Sequence, residues 1–191
     1  MGKINFKDLS SEKPSVKYCC AKECIRVSAA DPGKIFPQLD LFAGFLDGEN
    51  HVMKWTATKV IGNMAAADKK NKIDAYIPVF IKMLGCGEMI TAANAIGALA
   101  VIAKNKPCQR ERILTELLEV ENGEFYNKGS ISPECKNIAI GHVITAFEGF
   151  KDELARDNRV KKFLKKQAGN SRNAVKKKAE KLFLKLIKKT R

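Results

Sequence analysis

An internal repeat is the feature that most constrains the fold of this chain. Five segments align so that each places an alanine at the same position: Ala21, Ala57, Ala92, Ala139 and Ala179, at intervals of 36, 35, 47 and 40 residues. Seven positions later stand Ser28, Met64, Leu99, Ala146 and Leu186. A small residue followed two turns later by a mostly apolar one suits a helix that packs closely against a neighbour. Periods of this length are typical of stacked helical repeats.

A second set of apolar segments lies between the first, beginning at Lys34, Lys72, Glu111 and Arg159. In the first two segments, four apolar residues match at a constant offset of 38: Ile35, Leu39, Phe42 and Leu46 with Ile73, Ile77, Phe80 and Leu84. The repeating unit is therefore predicted to be an antiparallel helix pair. About five pairs, the first incomplete, are expected in one domain over residues 1–191, with a tail at 1–14, an inserted loop at 121–134 and a basic terminal repeat at 156–191.

The stretches IDAYIPVFIKMLG, from Ile73, and NAIGALAVIA, from Asn94, resemble the first and second helices of a HEAT repeat. The resemblance covers about Val16 to Ile187. It implies an all-α, right-handed alpha-alpha superhelix of the HEAT/armadillo kind, whose second helices line a concave face. It also implies a protein that binds a partner rather than one that catalyses a reaction. An irregular helical bundle is the alternative fold.

Positive charge is concentrated at the C-terminal end. The chain has 35 Lys or Arg against 21 Asp or Glu, and residues 156–191 alone hold 15 basic and 2 acidic residues. Such density is typical of a surface that binds nucleic acid or an acidic protein, and both remain open as partners. The alternative is a solvated cap, because a terminal repeat must present polar residues outward.

Binding to a membrane surface is less favoured, because the C-terminal helix already has a use for its apolar side. Its apolar stripe is expected to pack on the fourth repeat, and it consists of Val175, Ala179, Leu182, Phe183 and Leu186. No apolar stretch approaches the ~18 residues that a membrane span needs. We therefore expect no membrane anchor in this sequence.

Helical geometry suggests which residues face a partner. At 100° per residue, Trp55 and Lys59 lie opposite the packed side of their helix, and alignment places Gly97 and Gly141 on or close to the same ridge. The candidate partner-binding residues are Arg26, Trp55, Lys59, Asn94, Asn137, Lys177 and Lys181. A groove lined in this way could hold a peptide or stack a base. The alternative for Trp55 is burial between adjacent repeats.

The sequence contains no recognisable catalytic, cofactor or metal site. Cys20 and Cys24 lie one turn apart, but no histidine is close in sequence, so we expect them to be buried as small apolar residues. His142 aligns with packed positions and is expected on or beside the packed face. The six cysteines include no CxxC pair, and we expect reduced thiols in a cytoplasmic protein. These features favour a non-enzymatic binding scaffold.

One enzyme class remains as the alternative. HEAT-like proteins include alkylpurine DNA glycosylases, in which a concave cleft joins basic residues and tryptophans to a catalytic aspartate. A glycosylase of this kind, or another nucleic-acid-binding protein of DNA repair, is therefore the second interpretation. The chain departs from that pattern, since Lys59 rather than a carboxylate stands one turn after Trp55 and no ridge position supplies an aspartate.

Overall fold

A computed structural model describes residues 4–188, which are helical apart from loops and one short hairpin. The chain divides into two compact units, Met1–Ile77 and Pro78–Arg191. Each unit is described by itself below. The single repeat domain predicted for residues 1–191 stays a prediction.

The first unit is built around two long helices that pack against each other, α1 and α4. Its helices are α1 (Pro14–Ala30), α2 (Pro32–Ile35), α3 (Leu39–Ala43) and α4 (His51–Met64), with 3-10 helices at Phe6–Ser10, Phe36–Gln38, Ala65–Ala67 and Lys72–Tyr76. The side chain of Asn50 caps α4 by accepting a hydrogen bond from the backbone N–H of Met53 at 3.1 Å. Such a cap satisfies a donor that has no partner inside the helix.

Two segments of this unit differ from the sequence-based expectation. The predicted tail at 1–14 contains the 3-10 helix Phe6–Ser10, which packs on α1 and buries Leu9. The apolar segment from Lys34, expected to be one helix, is divided into α2, a 3-10 turn and α3. Pro37 explains the division, because proline has no backbone N–H with which to continue the helical hydrogen bonding.

The second unit contains the remaining helices and the hairpin. They are α5 (Ile77–Leu84), whose first residue belongs to the first unit, α6 (Met89–Asn105), α7 (Pro107–Glu119), a 3-10 helix at Val120–Asn122, β1 (Tyr126–Asn127), β2 (Ser130–Ile131), α8 (Pro133–Glu148), α9 (Lys151–Leu154), α10 (Asn158–Gln167) and α11 (Asn173–Lys188). Helix α6 packs against α7 and α8, and α11 packs against α8 and α10. Long helices thus lie beside one another in pairs.

The repeat alignment correctly identified core positions. All five aligned alanines are buried: Ala21, Ala57, Ala92, Ala139 and Ala179. Of the residues seven positions later, Ser28, Met64, Leu99 and Leu186 are buried, whereas Ala146 is only partly covered. The small residue lets a neighbouring helix approach, and the apolar residue fills the space two turns away.

The predicted inserted loop at 121–134 folds into a short β-hairpin. Strands β1 and β2 are antiparallel, with Tyr126 opposite Ile131. Lys128 and Gly129 form the turn with φ of 49° and 81°, the combination required by the tight turns that match strand twist. Phe125, just before β1, is buried and ties the hairpin to the core.

The cysteines provide a test of the core of the first unit. Cys20 and Cys24 are buried, as the packing interpretation predicted, and burial raises the pKa of the Cys24 thiol to about 12. Since the thiolate is the reactive form, we expect Cys24 to resist a thiol reagent at neutral pH while the exposed Cys19 and Cys108 react. Mass spectrometry of native and denatured samples measures this difference. Rapid labelling of Cys24 in the native protein would contradict the packing.

Candidate partner-binding surface

The candidate residues occur in both units, and three of them belong to the first. Lys59 of α4 is exposed, and Trp55 one turn earlier is half-buried, with its ring centre 5.9 Å from that of His51. Arg26 of α1 is exposed but forms an ion pair with Glu23 at 2.5 Å between Nη2 and Oε1. This contact lowers the pKa of the Glu23 carboxyl. Part of the charge of Arg26 is therefore compensated locally.

Two amide side chains of the second unit make structural hydrogen bonds. Asn94, half-buried in α6, donates to the backbone oxygen of Ile90 at 2.8 Å. Asn137, half-buried in α8, donates to Ser171 Oγ at 3.0 Å and accepts from Asn170 Nδ2 at 2.9 Å. Asn137 therefore holds the loop that leads into α11. Its amide is engaged within the fold rather than presented to a partner.

Further contacts join α11 to α8 along both helices. Near the start of α11, Arg172 pairs with Glu134. A Cβ built on Gly141 would lie 3.3 Å from Cγ2 of Val175, so this glycine allows the two helices to approach closely. The prediction that the basic C-terminal helix packs on the fourth repeat, rather than forming a free arm, is confirmed for its described residues.

Two lysines of α11 also contact α8. Lys178 donates to Thr145 Oγ1 at 2.9 Å, and Lys185 pairs with Glu148 at 3.2 Å between Nζ and Oε1. Exposed pairs of this kind contribute little to stability individually. Together with the contacts near the start of α11, they fix the orientation of this helix.

Lys177 and Lys181 lie on the side of α11 that faces away from its buried residues. Both are exposed, one turn apart, and within residues 4–188 neither side chain forms an ion pair or a hydrogen bond. Leu184 lies on the same side with 58% of its surface exposed. A row of uncompensated cations on an anchored helix presents a fixed positive surface to solvent.

A groove of about 310 Å³ runs between α6 and α8 in the second unit. The α6 side is lined by Ile96, Gly97, Ala100, Val101 and Lys104. The other side is lined by His142, Thr145, Ala146, Gly149 and Phe150. Most of these lining residues are apolar, and several have short side chains. Lys104 and His142 are the basic residues among them. None of the described residues that line it is acidic.

The alignment placed His142 on or beside the packed face of its helix. In the structure His142 is exposed and lines this groove. Desolvation, followed by the charge of Lys178, lowers its pKa from 6.5. As pH falls, His142 is therefore protonated in the unfolded chain before it is protonated in the folded one. Its contribution to stability consequently decreases as pH drops through 6.5 and below.

We expect an NMR titration to give His142 a pKa below 6.5, because both causes disfavour the imidazolium. Removing the nearby positive charge in Lys178→Gln should raise this pKa without restoring it fully, since desolvation remains. The signal of His51 serves as the internal control for the titration. A His142 pKa at or above 6.5 in the unmodified protein would contradict the geometry of this groove.

Sequence reasoning found the lysine row but not the groove. Lys104, His142, Thr145 and Lys178 were not among the candidates, although each lines the groove or contacts a residue that does. Gly97 was the available signal, because the alignment placed it on the exposed ridge. The neighbouring α8 residues could not be identified, since their exposure depends on how the two helices are rotated.

In the part of the chain that the structure describes, no three His, Cys, Asp or Glu residues are grouped in a way that suits a metal ion. Within residues 4–188, no helix combines the length and apolar character needed to cross a bilayer.

The chain matches no family model, and no curated protein is similar to it. Among solved structures it is similar to a designed armadillo repeat protein, YIII(Dq)4CqI, with a TM-score of 0.51 and 19% sequence identity. The match covers 94% of this chain and 79% of that chain. At this identity the likeness shows the fold alone, and membership of the HEAT family stays a prediction. The predicted fold class, an all-α solenoid of the HEAT/armadillo kind, is confirmed.

Proposed function

We propose that this protein is a non-enzymatic scaffold that binds an acidic macromolecular partner through the exposed lysine row of α11. The observation that carries the proposal is the exposure of Lys177 and Lys181, without a compensating carboxylate among residues 4–188, on a helix that is tied to α8. A helix held in place loses little conformational freedom when it binds, so its charges act together. The armadillo-like fold supports a binding role as well.

The remaining candidates are proposed to serve partner binding within their own units. In the first unit, Trp55 and Lys59 offer an aromatic ring beside a cation, and Arg26 lies on the neighbouring helix. In the second unit, Asn94 and Asn137 support the surface through their hydrogen bonds. The partner is a protein or a nucleic acid. A cytoplasmic location, in which the six thiols stay reduced, is proposed from the cysteine pattern.

The alternative function, DNA glycosylase activity, receives no support from α4. Its sequence, HVMKWTATKVIGNM, contains no aspartate or glutamate that could assist a reacting base beside Trp55. General acid–base help requires such a group within hydrogen-bond reach. We therefore retain binding as the proposed function.

The experiment compares a charge reversal on the lysine row with a matched reversal elsewhere. Labelled duplex DNA, single-stranded RNA and polyglutamate are titrated at low and physiological salt with the unmodified protein and with Lys177→Glu/Lys181→Glu. The control is Lys162→Glu/Lys165→Glu, which makes the same change in net charge on exposed positions of α10.

We expect the α11 variant to lose roughly tenfold or more in affinity for the bound polyanion, and the control to lose clearly less. Both variants lower the net charge equally, but only the α11 variant removes cations that contact the polyanion in the proposed complex. Circular dichroism serves as the check that both variants stay helical. Equal losses in both variants, or no binding of any polyanion at low salt, would contradict the proposal.

A further inference from the structure

We infer that the groove between α6 and α8 is a pocket for an apolar side chain of an acidic peptide segment, so that the partner of this surface is a protein. The inference rests on the proposed function and names the partner class for it. The groove adjoins the helix that carries the lysine row, because Lys178 of α11, next to Lys177 in sequence, contacts Thr145, which lines the groove.

Gly97 is the first reason. It lies in the interior of α6, where a glycine costs roughly 0.5–1 kcal/mol relative to alanine. A Cβ built at this position would meet nothing within 4 Å, so close packing does not require the glycine. Gly141 of α8 differs, because Val175 occupies the space beside it. We therefore explain the glycine at position 97 by the groove, which a larger side chain at this position would narrow.

The size and lining of the groove are the second reason. Its volume of about 310 Å³ is at the lower end of the range for ligand pockets and suits one large side chain. Ala100 and Val101 on one side and Ala146 on the other present methyl groups. An apolar side chain placed there would be removed from water, and the methyl groups that it covers have no hydrogen bonds to lose.

The hydroxyl group of the groove favours a peptide over a nucleic-acid base. Thr145 Oγ1 donates to the backbone oxygen of Gly141 at 2.9 Å and accepts from Lys178 Nζ at 2.9 Å. It is therefore already engaged and poorly placed to read the edge of a base. Bases bound without sequence readout usually stack on exposed aromatic rings, whereas the one Phe, Tyr or Trp among the lining residues, Phe150, is buried and leaves only the smaller ring of His142 exposed there.

Charge complementarity identifies the flanks of the peptide as acidic. Lys104 of α6 lies at the groove and is exposed, and its side chain forms no ion pair with the residues from 4 to 188. Lys178 contacts Thr145 on the α8 side of the groove, and its charge acts on His142. An acidic segment with one apolar residue would place that residue on the floor and its carboxylates against these cations.

The test uses two labelled peptides that consist of glutamates on both sides of one central residue, which is Phe in one peptide and Ser in the other. Fluorescence anisotropy measures their affinity for the unmodified protein at low salt. We expect the Phe peptide to bind roughly tenfold more tightly or better, because burial of the ring adds to the shared charge attraction. In the unmodified protein, methyl NMR signals of Ala100, Val101 and Ala146 should shift only with the Phe peptide.

A leucine at position 97 provides the matched variant. Gly97→Leu fills the groove from within, and we expect it to abolish the preference for Phe while leaving the affinity for the Ser peptide unchanged. Gly85→Leu is the control, since a Cβ at Gly85 also meets nothing within 4 Å but this residue does not line the groove. It should keep the preference.

The outcomes separate this inference from the proposed function. Equal affinity for both peptides, or a preference that survives in Gly97→Leu, overturns the groove as a pocket and leaves the lysine row as the binding surface. Binding of DNA or RNA without binding of either peptide overturns the protein partner. If the protein binds none of the polyanions and neither peptide, both proposals are overturned.

Discussion

Replacement of Phe147 by alanine is expected to lower the free energy of unfolding by about 3–5 kcal/mol, the usual cost of removing a buried aromatic ring. Phe147 of α8 is fully buried and meets Phe163 of α10 edge to face, with ring centres 5.9 Å apart. The substitution removes apolar burial and leaves a cavity between the two helices. Because small domains are typically stable by about 5–15 kcal/mol, this loss is large.

Urea denaturation followed by circular dichroism measures this effect through the shift in midpoint. Phe183→Ala is the matched control, since Phe183 of α11 is only half-buried and the same atoms are removed. The control should shift the midpoint much less. Equal shifts, or an unchanged midpoint for Phe147→Ala, would show that the ring pair does not join α8 to α10 as described.

Gly141→Leu is expected to destabilise the second unit by roughly 1–3 kcal/mol or more, because the new side chain overpacks the contact between α8 and α11. Even a Cβ at position 141 lies 3.3 Å from Cγ2 of Val175, which is itself buried. The remaining atoms of leucine therefore require α11 to move. Hydrogen exchange measured by mass spectrometry should show faster exchange in α11 than in the unmodified protein.

The same substitution at Gly97 serves as the control for this experiment. The Cβ of a leucine there meets nothing within 4 Å, and leucine replaces a poor helix former, so stability should be unchanged or increased. A similar loss of stability in both variants would contradict the different roles assigned to the two glycines. Protection of α11 that is unaffected by Gly141→Leu would contradict the close approach at Val175.

Much of the fold could be predicted because its signal is periodic along the chain. The aligned alanines and the apolar residues that follow them lie in the core, and Ala146 is the exception among them. The segment from Lys34 is divided at Pro37. The sequence analysis predicted one helix there because it followed the repeat alignment rather than the proline. The hairpin at Tyr126–Ile131 escaped prediction because strands of two residues are too short to show alternation.

The candidate surface was predictable only in part, because exposure depends on the rotation of neighbouring helices. Lys177 and Lys181 are exposed, since the lysine-rich side of α11 is unmistakable in the sequence. Asn137 was placed on the ridge, but its hydrogen bonds to the loop before α11 arise from contacts 33 and 34 residues apart. No local pattern reports a contact at that separation.

The packing of helices against sequence neighbours in the second unit has a consequence for how quickly this unit forms. Helix α6 packs on α7, the next helix, and α10 packs on α11. Such contacts close short loops, and the packing of α8 on α6 and α11 joins α-helices separated by only one or two others, so helices of this unit pack on partners that are near in sequence. Chains of this type fold on a timescale of roughly microseconds to milliseconds. Rapid pairing would shorten the time for which apolar surface on partly formed helix pairs is open to other unfolded chains.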